Sequence, residues 1–208
     1  MLRLLPCLTL VLFATAQDPI PAKEPPPRVT VPTFPNATCP GMGKATSTKL
    51  FVDTDYGRIF LCCKPCVKDV KADPKAAYDA AYPRLEKHAN TVCPVTGKPT
   101  DGKNTRITLQ GHEFAVADAG AQKTAIGESQ LVLARLLDPK LVDLRNALCP
   151  VTGEPTAPNA FCVVSGTIVR LASPRGVERV GKEPELMLQR ATASKKIADS
   201  SGAGDAKK

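Results

Sequence analysis

The chain has 208 residues, a formal net charge of +8, no Trp, and aromatic residues at 4%. A chain of this size holds one ordinary domain or a few very small ones, whose cores must rest on Val, Leu, Ile and Ala. Its basic residues alternate with acidic ones, without a block of like charges or an aromatic platform, which argues against nucleic-acid binding.

Met1-Leu2-Arg3 is a short positive start, Leu4 to Phe13 is apolar, and Ala14-Thr15-Ala16 is an A-x-A cleavage pattern. These features predict a signal peptide over 1–16 that removes Cys7 on cleavage and sends the chain to a secreted or periplasmic location. No later stretch is long and apolar enough for a transmembrane helix, so an integral membrane protein is not expected. Residues 17–36 read as a Pro-rich linker, with seven prolines between Asp18 and Pro35. Residues 194–208, rich in Lys, Ala, Ser, Gly and Asp, read as a disordered basic tail into which the preceding helix frays.

Between them the sequence repeats. Cys39-Pro40-Gly41-Met42-Gly43-Lys44, Cys93-Pro94-Val95-Thr96-Gly97-Lys98 and Cys149-Pro150-Val151-Thr152-Gly153-Glu154 start 54 and 56 residues apart. Tyr56-Gly57-Arg58-Ile59-Phe60 stands at the same offset as Gln110-Gly111-His112-Glu113-Phe114, and Cys66 to Pro74 at the same offset as Gly176 to Pro184. The pattern predicts an α+β fold of three small units over 37–90, 91–146 and 147–193, each a Cys-Pro turn, a β-hairpin and a helix. Expected strands are Lys49 to Thr54 with Arg58 to Cys62, Arg106 to Gln110 with His112 to Ala117, and Phe161 to Ser165 with Ile168 to Leu171. Expected helices are Cys66 to Lys71 followed by Pro74 to Lys87, a long apolar pattern from Leu131 to Leu148, and Glu185 to Ala193.

The chemistry lies in the cysteines. Cys62 and Cys66 are i and i+4, one helical turn apart, and the turn at Cys39 supplies a third thiol. A cysteine near a helix N-terminus favours the thiolate. Three convergent thiolates suit Zn or Cu, because soft ligands select soft or borderline ions. Cys63 is expected at the edge of this site, since adjacent side chains diverge. By offset, Val116 and Ala172 stand where the first unit has Cys62, and Gly120 and Gly176 where it has Cys66, so the later units cannot build the same site.

The run from Cys39-Pro-x-x-Gly through Tyr56-Gly57-Arg58-Ile59-Phe60-Leu61-Cys62-Cys63-Lys64-Pro65-Cys66 to Asp73-Pro74-Lys75-Ala76-Ala77-Tyr78 resembles the YHS/TRASH group of small heavy-metal-binding domains. The resemblance covers Cys39 to Tyr78, and in the other two units only the turn, the hairpin and part of the helix. It implies non-catalytic binding of a metal ion for trafficking, sensing or resistance, with two degenerate copies kept for packing or for contact with an envelope protein partner.

Other readings remain open. The cysteines of a secreted chain can be disulfides, and Cys93, Cys149 and Cys162 suit a disulfide better than a metal. A disulfide-stapled repeat protein for protein–protein interaction is therefore the alternative, and a redox enzyme using Cys63-x-x-Cys66 is the third reading. His112 reads as an exposed turn residue. His88 reads as a solvated helix end, with a role as fourth metal ligand as its other reading. Asn36-Ala37-Thr38 is a glycosylation sequon, meaningful in a eukaryotic source. No phosphate loop, Ser-His-Asp pattern or paired-carboxylate motif points to an enzyme.

Overall fold

The structure is a computed structural model that describes residues 27–100 and 105–202, with side chains through 195. The expected signal peptide and the first half of the Pro-rich linker lie outside the described residues. The fold is α+β, as expected. In chain order its elements are β1 (Val29–Thr30), β2 (Ser47–Thr54), β3 (Gly57–Leu61), α1 (Cys66–Ala72), α2 (Pro74–Ala81), β4 (Glu86–Lys87), β5 (Thr105–Leu109) and β6 (His112–Val116). There follow α3 (Ala119–Gly127), α4 (Ser129–Leu137), β7 (Val142–Asp143), β8 (Phe161–Val164), β9 (Thr167–Arg170), α5 (Gly176–Lys182) and α6 (Pro184–Gly202). No described helix is long and apolar enough to cross a membrane.

The three hairpins pair β2 with β3, β5 with β6 and β8 with β9, each antiparallel. Gln110-Gly111 and Ser165-Gly166 turn their chains with both residues at positive φ, the conformation that a two-residue hairpin loop demands. Ahead of each hairpin lies a tight turn with the same two hydrogen bonds. Gly43, Gly97 and Gly153 donate their N–H groups to the carbonyls of Cys39, Cys93 and Cys149, at 2.7, 2.9 and 2.8 Å. The N–H groups of these three cysteines donate to Lys44, Lys98 and Glu154.

An asparagine three residues before each of these cysteines, buried at Asn36 and Asn146 and half-buried at Asn90, ties the turn to the second strand of its hairpin. The Asn36 amide donates to the Phe60 carbonyl at 3.1 Å and accepts from the Phe60 N–H at 2.8 Å. Asn90 does the same with Ala115, and Asn146 with Arg170. Asn36 is only 3% exposed. Its side-chain amide is therefore enclosed in the fold, and the sequon reading gives way to a structural one.

The helices follow local rules. Asp73 ends α1 and caps α2, its carboxylate accepting from the Ala76 N–H at 3.0 Å, with Pro74 as the first helical residue. Asp118 caps α3 in the same way through the Ala121 N–H. Helix α2 stops at Ala81, short of the expected Lys87, because Pro83 lacks the N–H that would continue it and forces Tyr82 out of the helical region. The freed chain forms β4, which pairs in parallel with β6 of the next hairpin. The apolar pattern of the second segment also breaks, at Asp138-Pro139, and Val142–Asp143 pairs in parallel with β9. Helix α6 runs beyond the expected fraying point to Gly202, and Ser194 Oγ accepts from the Leu148 N–H at 3.0 Å.

Helix α4 is the central element. Val132, Leu133 and Leu136 enter the core around Phe114, whereas Leu131 and Ala134 pack on Phe161, Val163 and Ile168 of the third hairpin. The N-terminal stretch crosses the molecule: β1 pairs with β8, and Phe34 packs against both of these clusters. A polar chain locks this junction, in which Gln130 donates to Gln110 Oε1 at 2.9 Å and accepts from the Phe34 N–H at 2.9 Å. Tyr78 Oη accepts from the Gln110 N–H, joining the first helical pair to the second hairpin.

Candidate metal centre

The turn at Cys39, the end of β3 and the start of α1 meet at one point. Hairpin pairing carries β3 back towards the turn, so that Cys62, just past the strand, arrives beside Cys39. Pro65 then leads directly into α1, placing Cys66 as its first residue, one turn below Cys62. One Sγ each from Cys39, Cys62 and Cys66 lies within 4.8 Å of the others. Cys62 Sγ is 3.9 Å from Cys66 Sγ. Sulfurs bound to one zinc at about 2.3 Å lie about 3.8 Å apart at tetrahedral angles, so this spacing is already that of a ligand pair.

Cys63 stands at the rim. Its sulfur is 3.3 Å from that of Cys66, 3.7 Å from that of Cys62 and 3.8 Å from the thioether of Met42. Cys39 and Cys66 are each 1% exposed, whereas Cys62 and Cys63 are half-buried and Met42 is 53% exposed. The cluster is thus enclosed by the core on the Cys39 side and open on the Cys63 side. Gly41 flanks the sulfurs: a Cβ there would sit 3.4 Å from Cys66 Sγ, a contact that any larger side chain would tighten.

Electrostatics distinguish the members. Burial works against ionising Cys39, but the N–H groups of Cys62, Gly41 and Met42 point at its sulfur and bring its pKa down to about 7. Cys66 is pushed up, first by its hydrogen bond with Cys63 and then by burial. Burial raises Cys62, and contact with Cys66 lowers Cys63. Several sulfurs at this spacing cannot all carry charge without a cation among them.

No protein-family model, curated protein or solved structure matches this chain.

The other turns prepare their cysteines in the same way, but among the described residues neither gathers a second and a third thiol. Cys93 is lowered, burial being outweighed by the Thr96 side chain and by the N–H groups of Thr96, Ala117 and Val95. Cys149 is lowered against burial by the N–H groups of Ala172, Thr152 and Val151 and by the Thr152 side chain. The residue that turns its N–H onto the turn sulfur is thus Cys62, Ala117 or Ala172. In the second segment this counterpart of Cys62 is Ala117, one residue beyond the Val116 given by sequence offset. The slip arises because β6 begins after Gly111 whereas β3 begins at Gly57. Among the described residues Cys93, Cys149 and Cys162 are buried free thiols. Cys149 and Cys162 share one core cluster and Cys93 lies in another.

The histidines are not where the sequence suggested. His88 does not approach the cysteines, and His112 is not an open turn residue. They face each other, His88 Nε2 to His112 Nδ1 at 3.0 Å, each side chain 18% exposed. Glu86 lies 3.8 Å from His88 Nε2 and 3.7 Å from His112 Nδ1. Sequence reasoning misses this trio because a helix expected over Pro74 to Lys87 puts Glu86 and His88 at its end. The proline at position 83 was the available signal. The asparagines at 36, 90 and 146 were visible too, each three residues before a Cys-Pro pair.

Proposed function

We propose that this protein binds a soft or borderline metal ion, Zn or Cu, through Cys39, Cys62 and Cys66, with Cys63 as the rim ligand, and that it does so without catalysis. The observation that carries the proposal is the convergence of three thiols from a turn, a strand end and a helix start within 4.8 Å. The open side at Cys63 and Met42 suits uptake and release of the ion, and so trafficking, sensing or resistance, better than a closed structural role. The signal-like N-terminus favours action outside the cytoplasm, secreted or periplasmic.

The same reading makes the molecule three copies of one module. Its support is the repeated turn, the repeated asparagine tie and the repeated hairpin. The first copy keeps the site. The second and third keep its scaffold and serve packing or contact with an envelope partner.

The 3.3 Å approach of the Cys63 and Cys66 sulfurs favours one second reading, a reversible disulfide between them. Metal analysis and a thiol count on protein purified without added metal separate the two. About one equivalent of ion, with the four first-segment thiols free on denaturation, is the expected result. A metal-free protein with Cys63 joined to Cys66 would overturn it.

A further inference from the structure

We propose a second, independent metal site, formed by Glu86, His88 and His112, that takes a borderline divalent cation such as Zn2+ through two imidazole nitrogens and one carboxylate oxygen. It goes beyond the cysteine reading and stands whether or not the cysteines bind metal.

The site is a product of strand pairing. β4 joins β6 in parallel, with Glu86 opposite His112 and Lys87 opposite Glu113. The Glu86 N–H donates to the Gly111 carbonyl at 2.7 Å and the His88 N–H to the Glu113 carbonyl at 2.8 Å. These two backbone bonds fix positions 86 and 88 on one face of the added strand, since alternate residues of a strand share a face. His112, opposite Glu86, occupies the same face of the neighbouring strand. The donors are therefore placed by backbone, not by chance meeting of long side chains.

Their spacing suits an ion. One donor atom from each of the three residues lies within 4.8 Å of the others. Two nitrogens 3.0 Å apart, each about 2.05 Å from a metal, subtend an angle of about 95° at it, and a further 0.3 Å or so of separation would make the angle tetrahedral. The Glu86 side chain is 67% exposed and so free to swing inwards, whereas both imidazoles are largely enclosed. For both facing lone pairs to reach the ion, each ring must carry its proton on the far nitrogen, Nδ1 of His88 and Nε2 of His112. Imidazole and carboxylate together are a donor set for borderline divalent ions rather than for Mg2+ or Ca2+. Glu86 and His112 also border an open cleft of about 930 Å3 between the first and second segments, so further coordination positions can take water.

The third hairpin is an internal control. β7 joins β9 in the same parallel way, with Val142 opposite Thr167 and the Leu144 N–H bonded to the Ile168 carbonyl. The places of Glu86, His88 and His112 there fall to Val142, Leu144 and Thr167, which offer no comparable donor set. The architecture does not need histidines at these points.

The chain contains two histidines, so both rings can be read directly in a long-range 1H–15N spectrum of the full-length protein during Zn2+ titration. The expected result is that both rings shift together and saturate at one equivalent for the pair, with His88 in the Nδ1–H and His112 in the Nε2–H form. Cysteine occupancy, followed by a separate thiol-reactivity assay, leaves this step unchanged whether it comes first or does not occur. Glu86→Gln should weaken the response by at least the roughly ten-fold that even an outer-shell partner of a metal ligand contributes. His112→Gln should abolish the Zn2+ response of His88 while the amide spectrum stays dispersed. Rings that keep their metal-free positions through millimolar Zn2+, or an unchanged affinity in Glu86→Gln, would overturn the proposal and leave a plain hydrogen-bonded histidine pair.

Discussion

The first and third segments use the same turn and the same hairpin to opposite ends. At Cys39 the amide-lined turn is met by Cys62, Cys63 and Cys66, and the space between turn and helix is filled with sulfur. At Cys149 the corresponding space is filled with hydrocarbon. Ala172 replaces Cys62, Gly176 opens the helix in place of Cys66, and a Cβ on Gly176 would meet Leu171 and Val151 at about 3.5 Å. On the proposed three-module reading, the turn is scaffold and the thiols around it are what distinguish the first segment. The third segment instead places a buried ion-pair network against α4.

The sharpest way to break this comparison is to remove one added thiol. Cys66→Ser should abolish binding of the soft ion, whereas Cys93→Ser or Cys149→Ser should leave the stoichiometry unchanged, as read by metal analysis after dialysis. Equal loss in the Cys93 variant would mean that the segments share one site.

The next effect is on stability. Asp143, with its side chain 2% exposed, accepts from Arg170 at 2.8 Å and lies 3.7 Å from Arg135, while Arg170 also reaches Glu128 at 2.9 Å. The first segment's own ion pair, Arg58 with Asp53, stands at different positions and is exposed on its acid side. Burial alone would raise the Asp143 pKa, but the hydrogen bond and charge of Arg170 outweigh it and hold it below the ordinary value. A carboxyl depressed in the fold stabilises above its unfolded pKa, about 4, and that stability is lost as pH falls through the lower folded value. Asp143→Asn should therefore cost about 3 kcal/mol near neutral pH, as breaking a buried pair does. Its melting temperature should also fall less steeply than that of the wild type below about pH 4.

A smaller effect tests the shared scaffold. Asn36→Ala removes both bonds to Phe60 and strands two buried backbone groups, at a cost of about 1–3 kcal/mol. Asn146→Ala should cost a similar amount through Arg170. Denaturant midpoints that differ widely between the two variants would show that the repeated bonds are not energetically equivalent.

Much of this was legible in the sequence because short-range rules govern it. Glycine-marked hairpins, Asp-Pro helix starts and the one-turn spacing of Cys62 and Cys66 need no knowledge of the rest of the chain. Longer-range effects were not legible. That β4 would leave its own segment to pair with β6, and so bring Glu86 and His88 to His112, depends on contacts between segments that no local pattern encodes. The docking of Phe34 against α4, from a stretch whose prolines mark it as a linker, is of the same kind. The one-residue slip that makes Ala117 the counterpart of Cys62 depends on where a strand begins, which sequence offset cannot resolve.

The finest test concerns the rim of the cysteine cluster. Met42, like Gly41 beside it, has no counterpart in the other turns: Thr96 and Thr152 stand in its place and cap their own turns by accepting from Lys98 and Glu154 N–H groups. A threonine there would serve the turn; a methionine serves it less well, and instead brings a thioether to 3.8 Å from Cys63 Sγ. A thioether is a soft donor with affinity for Cu(I) and little for Zn2+. Met42→Leu keeps the size and removes the sulfur. If Met42 belongs to the site, the variant should bind Zn2+ as the wild type does and Cu(I) more weakly, so that a competition titration with both ions shifts towards zinc. An unchanged Cu(I)-to-Zn2+ preference would confine the site to its thiols and leave Met42 as a surface residue of the turn.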